Sequence, residues 1–238
     1  MMMRKLIVSF LLLIVAIVAG CATSSPMPRG NGIDQEPMYG GMDRQSVPEL
    51  KVGDEQFVSG VAKEFGSQEK GSEAFVEQGI RYYRQDNYTM AMKRFNQAWL
   101  LNPRNPDVFW GFSLVYHDEN KNCEAKSMID RAVDLNLSKP IALADAGRIY
   151  TLCAVSDNAL DSTAKAQYYA KSDSFYKRAS AVSPNNDYIF GSWATAHYWR
   201  GEYAQAWEKV AVQRSLGGTP PGQFINMLRQ KMPEPMAK

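Results

Sequence analysis

The order of apolar and polar positions divides the chain into three unlike stretches. Leu6 to Val18 is a 13-residue apolar run broken only by Ser9, with Arg4 and Lys5 just before it. Residues 22–53 hold Pro26, Pro28, Pro37, Gly30, Gly32, Gly40 and Gly41, with few branched aliphatics and neither a helical nor a strand period. Such composition buries too little apolar surface to offset ordering entropy, so it predicts a flexible spacer. From Asp54 the pattern turns helical. Phe57, Val58, Val61, Ala62 and Phe65 share one face. This predicts a helix over 54–65, ended near Gly66, with Asp54 and Glu55 at the N-terminus where the helix dipole favours acids.

Beyond that helix the chain repeats itself. Phe75, Gly79 and Tyr82 recur 34 residues later as Phe109, Ser113 and Tyr116, and again as Leu143, Gly147 and Tyr150. Ala91, Phe95 and Ala98 become Ala125, Ile129 and Ala132 by the same step. The period then widens once to 47, carrying Ala132 to Ala179 and Tyr150 to His197. One 13-residue insertion near Val155 to Gln167 accounts for the jump. Leu160, Ala164, Tyr168, Phe175 and Tyr176 are helically spaced, which predicts a longer second helix there.

Phe75, Gly79, Tyr82, Tyr88, Ala91, Phe95, Ala98 and Pro103, at a 34-residue period, resemble the tetratricopeptide repeat (TPR). The resemblance implies an all-α solenoid of about four helical hairpins: 72–105, 106–139, 140–186 with the insertion, and 187–220. Large residues fill the space between helices, small ones allow close approach, and no unit is stable alone. Residues 54–71 are then an N-terminal helix and linker. Within 221–238, Phe224, Met227 and Leu228 lie on a C-terminal capping helix that precedes a tail. The fold implies a concave groove lined by first-helix residues outside the repeat signature. These are Val76, Ile80, Tyr83 and Arg84; Trp110, Leu114, His117 and Asp118; Ile141, Ala144, Arg148 and Leu152; and Tyr188, Thr195, Tyr198 and Trp199. Aromatics and arginines are enriched in binding hot spots, so such a groove suits a protein or peptide partner. Packing against the terminal helices is the competing role for several of them.

The N-terminal run is too short to span a bilayer, which takes about 20 apolar residues. With its basic start and small residues at the end, it reads as a signal peptide over 1–20. Val18-Ala19-Gly20-Cys21 resembles the bacterial lipobox. That resemblance implies cleavage before Cys21, a diacylglyceryl group on its thiol and an acylated (palmitate-type) amine. An ordinary cleaved signal peptide, or an uncleaved anchor, is the alternative. Ala22, where enteric inner-membrane lipoproteins carry Asp, implies the outer membrane, facing the periplasm. Residues 21–53 are then the lipidated cysteine and its tether.

An oxidising compartment favours disulfides, and lipidation of Cys21 leaves Cys123 and Cys153. By TPR stacking, the start of a second helix meets the end of the next first helix, so both sulfurs fall on one rim. This predicts a Cys123–Cys153 disulfide, with two separate thiols as the alternative.

Composition narrows the function. Lys and Arg number 27 against 25 Asp and Glu, with two histidines, His117 and His197, and three cysteines. Removing Arg4 and Lys5 leaves 25 bases against 25 acids, so the chain from Cys21 onward is formally neutral. That argues against a nucleic-acid binder and against membrane attachment through a basic surface. No zinc-finger spacing, P-loop or dinucleotide fingerprint is present. His117 and Asp118 are helix neighbours that do not face each other, and His197 stands at a packing position. The sequence therefore predicts no enzyme, cofactor, metal or small-molecule substrate. It predicts a lipid-anchored periplasmic scaffold for a protein or peptide partner in envelope assembly. The alternatives are a self-associating structural lipoprotein and a regulator that recruits a peptidoglycan enzyme.

Overall fold

The computed structural model describes residues 32–236, which are helical or irregular throughout, with no strand among them. The predicted signal peptide 1–20 and Cys21 lie outside the described residues. Helix α1 (Pro48–Phe65) leads into four hairpins. These are α2 (Gln68–Tyr83) with α3 (Tyr88–Leu101), α4 (Pro106–Asp118) with α5 (Asn122–Asp134), α6 (Pro140–Ser156) with α7 (Ser162–Val182), and α8 (Asp187–Trp199) with α9 (Tyr203–Ser215). Helix α10 (Gly222–Lys231) closes the stack. The architecture is a TPR-like solenoid in two layers, with the first helices of the hairpins on one face and the second helices on the other.

Local signals explain the breaks. Asn87, Asn105, Asp161 and Asn186 each accept a backbone N–H from the first turn of the following helix. Within three of the hairpins, the turn places a left-handed residue at the same repeat position: Asp86, Asn120 and Gly201. A second left-handed position recurs after the second helix at Asn136 and Gly217. Short polar residues or glycine tolerate that conformation best.

Phe95 shows why the repeat keeps small residues. Its ring is fully buried and lies against Gly79 of its own hairpin and Gly111 of the next. A Cβ would fall 2.3 Å from the ring at Gly79 and 2.5 Å at Gly111. Gly147 makes the same close approach to Tyr176 two units on. Ser113, at the position of Gly79, is buried and turns its hydroxyl back to the Trp110 carbonyl at 2.6 Å. The insertion lengthens α6 and α7 around a short loop at 157–161, and α7 reaches 21 residues. Tyr168, on the added turns, packs edge-on against Tyr150.

The structure corrects the reading of residues 32–53 as a spacer. Short 3-10 turns at Ile33–Gln35, Pro37–Gly41 and Arg44–Ser46 run over the second-helix face. Gln35, Pro37 and Tyr39 are buried there. Asn96 of α3 organises this strap. Its Nδ2 donates to the carbonyls of Asp34 (2.9 Å) and Glu36 (2.8 Å), and its Oδ1 accepts from Tyr39 N (3.3 Å). The contact spans about sixty positions, so no local pattern announces it. Helix α1 also starts at Pro48, not at 54. Proline is favoured at the first helical position. Asp54 is therefore not a terminal acid: it is buried within α1 and bound by Arg44 at 2.5 and 2.7 Å. Arg44 also covers the Tyr39 ring at 4.1 Å, and burial pushes the Tyr39 phenol up to about 12.

Candidate functional site

Helical spacing puts every fourth residue of a first helix on the inner face, and stacking four such helices joins these rows into one groove. The groove consists of three adjoining hollows. The first, about 490 Å³, is lined by Val76, Glu77, Ile80 and Arg81 of α2, Arg84 just past its end, Trp110 of α4, and Lys139, Pro140 and Ile141 at the start of α6. The second, about 390 Å³, shares Ile80, Arg84, Trp110 and Ile141 and adds Tyr83, Leu114, Asp145, Arg148 and Tyr188. The third, about 330 Å³, continues from Arg148 and Tyr188 to Gly191, Thr195, Gln213, Pro221 and Phe224. Ile141 is 41 % exposed and Tyr188 38 %, so the floor presents apolar surface to solvent.

Asp145 holds the middle of the groove together. It is buried and accepts from Trp110 Nε1 (3.0 Å), Arg148 Nη2 (3.0 Å) and the Tyr188 hydroxyl. Burial is the largest influence on Arg148 and opposes its charge, but Asp145 together with Tyr188, Tyr176 and Tyr83 holds the guanidinium pKa above its ordinary value. Burial first, and Asp145 second, raise the Tyr188 phenol. Burial and then Asp118 raise that of Tyr83. Both phenols are therefore neutral donors. Lys139 is paired with Asp107 at 2.6 Å. Arg81 and Arg84 make no ion pair among the described residues.

Of the residues expected along the groove, Val76, Ile80, Tyr83, Arg84, Trp110, Leu114, Ile141, Arg148, Tyr188 and Thr195 come together in these hollows. Asp118, Ala144 and Leu152 do not line them, and neither do three others. His117 sits at the end of α4, bonded through Nδ1 to Asn122 at 3.0 Å. Burial and the nearby Arg148 charge lower its pKa. Tyr198 packs against Tyr203 and Phe224, beneath α10. Trp199 is 46 % exposed beside Tyr198. All three belong to the last turn of α4 or α8. His197 stacks on Trp193 and meets Glu202 through Nδ1.

Sequence reasoning missed Glu77, Arg81, Lys139, Asp145 and Gln213. Asp145 left a signal: it is a lone acid in the otherwise apolar stretch Ile141 to Ala146. Gln213 replaces the alanine found at 98, 132 and 179, and it lies against Gly191. Among the described residues no His, Cys, Asp or Glu cluster could hold a metal ion, and no helix is long and apolar enough to cross a membrane.

At the opposite rim, Cys123 of α5 and Cys153 of α6 form a disulfide, with Cα atoms 4.7 Å apart. It ties the second helix of one hairpin to the first helix of the next.

No protein-family model matches the sequence, and no curated protein does. Among solved structures, the chain is similar to a thermophilic TPR protein of Thermus thermophilus. The two share 16 % identity and a TM-score of 0.55, over 67 % of this chain and 80 % of that one. What the likeness shows is the fold: an all-α, TPR-like stack of helical hairpins.

Proposed function

We propose that this protein is a scaffold that binds another protein through its concave groove while a lipid on Cys21 holds it to the periplasmic side of the outer membrane, in cell-envelope assembly. The observation that carries the binding role is the continuous groove itself. It joins exposed apolar floor at Ile141, an aromatic wall at Trp110 and Tyr188, and the guanidinium groups of Arg81 and Arg84, which make no ion pair among the described residues. A monomer rarely leaves such a combination open without a partner for it. The anchor rests on the Val18-Ala19-Gly20-Cys21 motif. Two or more acyl chains give durable membrane attachment, and the formally neutral mature chain has no net positive charge to do it instead.

Two measurements test this. Cys21→Ser is expected to move the protein from the membrane to the soluble fraction; a soluble wild-type protein overturns the anchor. Trp110→Ala and Arg148→Ala are expected to abolish recovery of the partner that co-purifies with wild type. Undiminished recovery overturns the groove.

A further inference from the structure

Two polar groups in the third hollow are unfinished. Gln213 is 7 % exposed, and its Oε1 is shielded from solvent with no hydrogen-bond partner among the described residues. Arg148 spans the second and third hollows. It uses Nη2 on Asp145, but its Nε is likewise shielded and without a partner. A buried polar atom left unsatisfied costs about 1–3 kcal/mol, so native proteins rarely keep one without a use. Here an unpaired acceptor and an unpaired donor line the same hollow.

An unpaired donor and an unpaired acceptor complement a peptide group, which offers one carbonyl and one N–H. The molecule already uses a buried amide this way. Asn96 binds two carbonyls and one N–H of the strap, reading main chain without regard to side chain. Gln213 carries the same amide on a stem one carbon longer, and its terminal torsion is soft enough to turn either edge towards the hollow. Two other polar groups nearby are engaged: Thr195 Oγ1 donates to the Gly191 carbonyl at 3.0 Å, and the Tyr188 hydroxyl donates to Asp145.

We infer that the third hollow is a main-chain-reading subsite. It takes an extended polypeptide segment, with Gln213 Oε1 accepting a peptide N–H and Arg148 Nε donating to a peptide carbonyl. The inference rests on the groove's role as a protein-binding surface and specifies its occupant. The segment continues along the groove and places an apolar side chain on Ile80, Trp110 and Ile141.

The test uses a phage-displayed library of random peptides, about twelve residues long, selected on the full chain in detergent. The best binder is then synthesised with each peptide nitrogen methylated in turn. Gln213→Leu is expected to weaken binding about tenfold or more. One N-methyl position is expected to weaken binding to wild type to a similar degree and to cause no further loss in Gln213→Leu. Gln213→Ala serves as a second variant should the leucine fail to fold. If Ile141→Asp abolishes binding but Gln213→Leu and every N-methyl peptide bind as wild type does, the main-chain subsite is wrong and the groove reading survives. A rise in Tm for Gln213→Leu with unchanged affinity also overturns the subsite, with bound water satisfying the amide. If no peptide is enriched, or binding ignores Ile141→Asp, the groove reading itself falls.

Discussion

The two faces of the solenoid treat a buried amide in opposite ways. On the second-helix face, Asn96 is fully buried with its hydrogen bonds made, because residues 34–39 of the same chain lie across it. On the first-helix face, Gln213 of α9 is buried and Arg148 half-buried, each with a shielded polar atom unmatched, and Ile141 stands open. The covered face is sealed at Asn96 by residues 34–39. The open face keeps apolar area and polar valences available. A face sealed by its own chain contributes to stability, whereas a face left open is the one available to a partner.

Removing Asp145 breaks the contrast most severely. Asp145→Ala leaves the Arg148 charge, Trp110 Nε1 and the Tyr188 hydroxyl without their shared acceptor. The expected loss is about 3–4 kcal/mol in urea unfolding, towards the low end for a broken buried pair because Arg148 keeps some solvent access. A loss below about 1 kcal/mol would mean that Asp145 does not organise the groove floor. Next comes the disulfide, which joins the layers between hairpins. Closing a loop with a sequence separation of 30 constrains the unfolded chain, so Cys153→Ser is expected to cost about 3 kcal/mol. Equal stability of the oxidised and reduced protein would contradict this.

Asn96→Ala strikes the covered face. It is expected to cost about 2 kcal/mol and to remove hydrogen-exchange protection from the strap at Tyr39, while α6 and α8 stay protected. Retained protection at Tyr39 would show that burial of Pro37 and Tyr39 holds the strap without the amide. The histidines give a shallower effect. Burial, the largest cause at each, depresses both His117 and His197 below the ordinary histidine pKa of about 6.5. The unfolded state therefore takes up these protons at higher pH than the folded state. The stability they contribute is whole above about pH 6.5 and is lost as the pH falls through and below that value. A Tm that falls between about pH 7 and about pH 5 is expected, and a flat or rising Tm would contradict it. Smallest of all is Ile141→Asp, expected to change stability by no more than about 0.5 kcal/mol, because the side chain is already exposed.

The repeat was legible because its signature residues answer to local needs. Gly79 and Gly147 recur where a ring presses on the backbone, and the first-helix period carries Trp110, Leu114 and Arg148 onto one face. The hub was not legible, since Asp145 takes its partners from three different helices. Nor was the strap. Its Pro and Gly content reads as disorder, and its four successive left-handed residues, Met38 to Gly41, are tolerated only because Asn96 and Arg44 hold the segment on either side. Tyr198 shows the converse error. Its register matches Tyr83, but α10 covers it, and the repeat pattern carries no information about what caps the stack.

The central claim is that the partner binds the first-helix face. A photo-crosslinking residue placed at Ile141 in the groove, or at Lys177 on the exposed second-helix face, tests it in living cells. The account predicts a discrete adduct with a different protein from position 141 and none from position 177. Equal adducts from both positions, or an adduct from 141 only with a second copy of this chain, would contradict it.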